Sequence, residues 1–144
     1  MSRTHHPSIV ERSAEAAHIW YRDVARELQT DDLHYAGRVL RTVLHALRDR
    51  LTVAEGAQLA AQLPTLIRGI YYEQWRPGAA ARHLAHDVDG FLDEVADAGR
   101  LAGRTEASHA VSAVSRVLND HVSEGEMYDV LAILPEKLRT LFAA

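Results

Sequence analysis

From Ala16 to Phe142 apolar residues recur at three- and four-residue steps, with no run of strict two-residue alternation. That spacing predicts amphipathic helices and no strands. Ala17, Trp20, Val24 and Leu28 define a first helix over 16–28. Ala36, Val39, Leu40, Val43, Leu44, Leu47 and Leu51 form a wide apolar stripe over 33–51, as expected of a helix facing a core. Thr52-Val-Ala-Glu55 then reads as a capping box, the Thr hydroxyl accepting from the Glu amide and the Glu carboxylate reaching back to the Thr amide. The helix it opens, 53–62, is short because Pro64 disfavours the helical conformation of Leu63 and suits the start of another helix. That fourth helix runs from 64 to about 74, with Ile67, Ile70 and Tyr71 facing inward.

The same order follows again. Leu84, Val88, Phe91 and Val95 mark a helix over 82–98, Gly99 and Gly103 interrupt the chain, and a helix runs from 105 to 122. Ser123-Glu-Gly-Glu126 repeats the capping box, and Pro135 opens a last helix ending near Phe142. Sliding the chain by 71 residues lays Ala36–Tyr71 over Ala107–Phe142 without a gap, and nine of 36 positions are identical. Those nine include Asp49/Asp120, Glu55/Glu126, Pro64/Pro135 and Arg68/Arg139. A repeat at fixed offset is the mark of a duplicated structural unit. The fold class expected is therefore all-α, a tandem duplication of a four-helix unit giving about eight helices in one compact bundle. The divisions expected are a flexible tail over 1–12, repeat one over 13–75 and repeat two over 76–144. The linker Trp75-Arg-Pro-Gly78 is too short to let the halves separate.

Leu63-Pro-Thr-Leu-Ile-Arg68 and Leu134-Pro-Glu-Lys-Leu-Arg139 each follow an amphipathic helix and a Thr/Ser-x-x-Glu cap, and the first copy ends in Tyr71-Tyr-Glu-Gln-Trp75. As a set these elements resemble the bacterial family catalogued as domain of unknown function 2267, over roughly residues 16–143. The resemblance implies a small all-helical bacterial protein. It supplies no catalytic or cofactor residue to carry over.

Composition narrows the chemistry. The chain has 144 residues, no cysteine, and 16 basic against 20 acidic residues. Absence of cysteine excludes disulfides, thiolate catalysis and cysteine-ligated zinc or iron–sulfur centres. Residues 1–72 sum to +1 and residues 73–144 to −5, the reverse of the basic face a nucleic-acid binder needs. No run of apolar residues approaches a membrane span and no secretory h-region is visible, so the expected location is the cytoplasm.

Candidate sites are few. Asp49, Glu55, Arg68, Asp120, Glu126 and Arg139 recur as polar identities, and structural roles are expected: the glutamates in capping boxes, and Arg68 bonded to Asp49 as Arg139 is to Asp120. Asp87-Val-Asp-Gly-Phe-Leu-Asp-Glu94 misplaces the glycine and the final glutamate of a calcium loop. Asp89, Asp93 and Asp97 describe instead an acidic helix face, solvated or open to a basic partner. His83 and His86, three apart, supply half of a metal site. No nucleophile elbow or phosphate loop occurs, so no catalytic residue, metal or cofactor is assigned. Tyr72 and Trp75 lack counterparts in the second copy. They are the candidate binding patch, either sealing the joint between repeats or lining a groove there. The expected function is a non-enzymatic interaction or scaffold module that binds protein or self-associates, with no nucleic-acid or membrane partner. The alternative is a small-molecule binder or enzyme using a groove near Trp75.

Overall fold

The computed structural model describes residues 6–77 and 84–143. These form eight helices: α1 (Ile9–Glu27), α2 (Leu33–Arg48), α3 (Val53–Ala61), α4 (Thr65–Tyr72), α5 (Val88–Gly99), α6 (Arg104–His121), α7 (Glu124–Ile133) and α8 (Glu136–Phe142). No strand occurs among the described residues, as the apolar spacing requires.

Local chemistry fixes most of the starts. Ser8, Asp32, Thr52, Asp87 and Ser123 each place a side-chain oxygen on the amide three residues ahead, satisfying a donor that the first helical turn leaves free. Pro64 and Pro135 precede α4 and α8 as N-caps without a side-chain bond, one residue earlier than a first-turn position.

Two boundaries differ from the sequence reading. The segment 1–12 was expected to be a tail, but α1 begins at Ile9, because Ser8 Oγ accepts from the Glu11 amide at 3.1 Å. In place of a start at 82, α5 begins at Val88, where Asp87 takes the Gly90 amide at 3.1 Å. Just upstream the chain is tied sideways: the Ala85 amide donates to Glu94 Oε1 at 3.0 Å, and the Ala85 carbonyl accepts from Arg50. Gly99 is not the break after α5 but its last helical residue. A side chain there would press within 3.3 Å of Thr42 on α2, and Arg100 instead takes the left-handed conformation, φ 54°.

The centre is built by α2 and α6, which pack on each other. Helix α1 packs on α2 and α6, and α5 on α6 and α2. Helix α4 lies on α1 and α2; α8 lies on α5 and α6. Each of these contacts of one half has a counterpart in the other, whereas the α6–α7 contact has none of similar extent. Helices α3 and α7 meet each other. Fully buried Leu40, Leu44, Leu47, Ile67, Tyr71, Phe91, Leu118, Leu138 and Phe142 form one continuous core with Trp20 and Val24.

Arginines also tie the structure inside. The Arg50 side chain, 1% exposed, pairs with Glu94 at 2.6 Å. It also bonds the Ala46 and Ala85 carbonyls and stands over the Phe91 ring, 4.6 Å from its centroid. Arg48 donates to the Tyr71 and Glu73 carbonyls at 2.6 and 2.7 Å and to Asp49 at 2.9 Å.

Candidate functional site

The Trp75 region forms where α4 ends. Gln74 adopts φ 59°, which turns the chain so that the Trp75 amide reaches the Tyr72 carbonyl at 3.2 Å. The Tyr72 and Trp75 rings lie 5.2 Å apart, and Tyr71 meets Tyr72 edge-on at 5.3 Å. Trp75 is half-buried. Its ring runs close to Gly56 of α3, where an added side chain would meet the indole at 3.7 Å and the Tyr71 hydroxyl at 3.4 Å. Beyond it opens a groove of about 460 Å³, with Leu51, Val53, Trp75, Leu84, His86 and Ile133 along its walls. It joins the start of α3, the chain after α4, the chain before α5 and the end of α7. Arg48 and Arg50 also face it, bonded to the backbone and carboxylate partners given above, and the exposed Arg76 lines it as well.

His86 is exposed and precedes α5, outside any helix; His83, its expected partner, lies outside the described residues together with Arg82 and His5. Asp87 caps α5 through its side chain. On the acidic face Arg104 bonds Asp93 through two atoms, at 2.8 and 3.0 Å, and approaches Asp89 at 3.3 Å.

The repeated arginines require a correction. Arg68 does not reach Asp49. It donates to the carbonyls of Ala60, Ala61 and Leu63 at 2.9, 3.3 and 3.0 Å. Arg139 does not reach Asp120 either, and donates to those of Leu131, Ala132 and Leu134 at 2.8, 3.5 and 3.4 Å. Each guanidinium covers the carbonyl end of the preceding short helix, where the backbone acceptors lack intrahelical donors and the dipole favours a cation. Asp49 is occupied by Arg48, and Asp120 is exposed.

The repeated glutamates do more than cap. Thr52 and Ser123 hydroxyls accept from the Glu55 and Glu126 amides at 3.1 and 3.2 Å. The return arm expected of Glu126 is absent, because the Ser123 amide donates to Gln62 Oε1 at 3.0 Å. Instead the two carboxylates face one another across the α3–α7 crossing. One oxygen each of Glu55, Glu126 and Asp129 lies within 4.8 Å of the other two. Glu55 and Glu126 are only 7% and 8% exposed, and Oε1 of each is buried without a hydrogen-bond partner. Burial, then the hydrogen bond and charge of Glu55, raise the Glu126 carboxyl above its ordinary value. The nearby Tyr71 hydroxyl is no donor to the pair, because it bonds the Gly56 carbonyl at 2.8 Å.

The two glutamates are 71 residues apart, the offset at which the sequence repeats. So are Tyr35 and Glu106, which also meet, with the phenol donating to the carboxylate at 2.6 Å. Burial and that carboxylate push the Tyr35 phenol up to about 12. Sequence reasoning marked Glu55 and Glu126 as retained, but the capping box accounted for each separately. Asp129 carried no signal beyond its place three residues after Glu126, on the same helix face.

The model of one family, described as "Uncharacterized conserved protein (DUF2267)", matches residues 17–141. The chain belongs to this family. Its match runs from within α1 to within α8 and so takes in the α3–α7 crossing and the Trp75 groove. No curated protein matches the chain. Among the described residues, no helix is long and apolar enough to cross a membrane.

Proposed function

We propose that this DUF2267 member is a non-enzymatic helical interaction module, a duplicated four-helix unit that binds a protein partner across the groove at Trp75. One observation carries the proposal: the groove offers exposed apolar area, and two of the three arginines along it are already bonded within the chain. Val53 and Ile133 stand exposed beside the half-buried Trp75, and a partly exposed aromatic with aliphatic neighbours is the composition of a binding anchor. A small-molecule or catalytic site needs a few convergent polar groups free to orient a ligand. Arg48 and Arg50 are instead satisfied within the chain. The acid-rich second half disfavours nucleic acid, and the proposed setting is the bacterial cytoplasm, the bacterial part resting on the family resemblance.

The test is site-specific photo-crosslinking in the native cell, with a photoreactive residue at Val53 or Ile133 and controls at the exposed Tyr128 and Leu66. The proposal expects one discrete polypeptide adduct at both groove positions, another protein or a second copy, and none at the controls. Equal labelling at groove and control positions, or a small molecule retained in native mass spectrometry and displaced by Trp75→Ala, would refute it.

A further inference from the structure

We propose that Glu55, Glu126 and Asp129 form an oxygen-donor site for one hard divalent cation, fastening α3 to α7; the site is separate from the Trp75 groove and does not depend on the role given to it. Two observations point to a ligand. The first is geometric: an oxygen from each of three carboxylates falls within 4.8 Å of the others. A calcium-sized ion binds oxygens at about 2.3–2.6 Å, so two ligands on opposite sides of it stand about 5 Å apart. The three groups can therefore close on one ion without moving their helices.

The second is electrostatic. Glu55 Oε1 and Glu126 Oε1 are buried without a partner, on residues more than nine-tenths buried. Unpaired charge in a buried site is costly, and here two carboxyl groups converge. The charges acting on Glu126 are those of Glu55 and Asp129, all of one sign. None of the three is in an ion pair among the described residues. The Tyr35–Glu106 contact, at the same sequence offset, sets the contrast: there one partner donates and the other accepts. At Glu55–Glu126 both partners are acids, which a shared proton or a cation between them reconciles, and the proposed occupant is the cation.

The donor set selects the ion class. Carboxylate oxygens alone favour Ca²⁺, Mn²⁺ or Mg²⁺ over thiophilic metals. Asp129 is exposed, so water can enter from its side to complete the coordination. The helix caps fix the ligands beforehand, because Thr52 and Ser123 pin the first turns that carry Glu55 and Glu126.

The test uses the full chain, stripped with a chelator and titrated separately with the chlorides of Ca²⁺, Mn²⁺ and Mg²⁺. Calorimetry gives stoichiometry, thermal unfolding gives stabilisation, and broadening of amide resonances by Mn²⁺ gives location. One ion per chain is expected, with a melting temperature that rises with ion concentration and broadening centred on α3 and α7. Glu55→Gln and Glu126→Gln should each weaken binding by more than about tenfold, since affinity follows ligand charge. Asp129→Asn, at an exposed position that folding tolerates, should weaken it as well. Asp93→Asn, on the acidic face of α5, should leave it unchanged. Two results overturn the site. One is no uptake of any of the three ions at about 1 mM, the weak end of protein calcium sites, which would leave a shared proton as the sole occupant. The other is undiminished binding in Glu126→Gln, which would place the ions elsewhere.

Discussion

Replacing Arg50 by Met tests whether polar ties inside the bundle, and not apolar packing alone, hold α2 to the start of α5. Methionine keeps an unbranched apolar stem of similar reach, so the packing contribution of the arginine chain is largely retained. What goes is the guanidinium. Glu94 Oε2 loses its partner at 2.6 Å, the Ala85 carbonyl loses bonds at 3.2 and 2.9 Å, and the Ala46 carbonyl loses one at 3.0 Å. The cation over Phe91 is lost too. Breaking a fully buried ion pair costs about 3–5 kcal/mol. Here the Glu94 side chain is 35% exposed and its Oε1 keeps the Ala85 amide, so water recovers part of the loss, and about 2–4 kcal/mol is expected. With a urea slope of about 2 kcal/mol/M for a domain of this size, the midpoint should fall by roughly 1–2 M. The assay is a urea melt followed by far-ultraviolet circular dichroism, with the slope checked for constancy. Arg104→Met is the control. It removes a two-atom bond to Asp93 on a surface where both side chains are 53% exposed, and it should leave the midpoint in place. Equal midpoints for the two variants would refute the reasoning.

Three further outcomes are expected. Arg68→Ala should lower stability by about 1–2 kcal/mol through loss of the carbonyl cap on α3, while Asp120→Ala leaves the urea midpoint where it is; the opposite ranking would restore the Arg–Asp pairing. Tyr71→Phe should cost about 1 kcal/mol, the net worth of its hydroxyl bond to the Gly56 carbonyl, with no change in far-ultraviolet circular dichroism. His45 is held below its ordinary value by burial, with its Nε2–H donating to the Ile70 carbonyl at 2.7 Å and with Arg48, Glu73 and Asp49 as its charged neighbours. Its folded pKa lies below the unfolded one. The unfolded chain therefore gains the proton first, and the stability His45 contributes is present above about pH 6.5 and lost as the pH falls towards the folded value. His45→Gln should flatten that acid limb in chemical denaturation at a series of pH values, and an unchanged slope would count against it.

Much of the helical order was legible because two local signals agreed. Apolar spacing set the inward faces of α2 and α6, and Thr52, Ser123 and the two prolines set where the short helices begin. Where the signals disagreed, spacing alone misled. The first turns of α1 carry Ile9 and Val10 on the surface, 71% and 73% exposed, so no buried stripe announced them, although Ser8-Ile-Val-Glu11 is itself a start signal. Leu84 extended the apolar pattern of α5 backwards past Asp87, but the side-chain cap at Asp87 prevailed. The arginine pairing failed for a reason of distance along the chain. Arg68 sits five residues from the Leu63 carbonyl and eight from that of Ala60, so bare acceptors at the end of α3 were closer to hand than any carboxylate on α2.

The meeting of Glu55 with Glu126 was beyond a one-dimensional reading, since each had a sufficient local role as the third residue after a cap. It follows once the 71-residue offset is set beside the α3–α7 contact. Positions that match in the repeated sequence are there brought opposite each other across the α3–α7 contact. At Tyr35–Glu106 the counterparts differ, and the difference makes a donor and an acceptor of them. At Glu55–Glu126 they are the same acid. A glutamine at either position would keep the cap, since the hydroxyl of Thr52 or Ser123 binds the backbone amide and not the side chain, and it would bring a donor to the partner carboxylate. A change that small would remove the repulsion without disturbing either helix. The chain carries both glutamates instead, and a cation bound between them, as proposed, offsets the repulsion that a glutamine would remove.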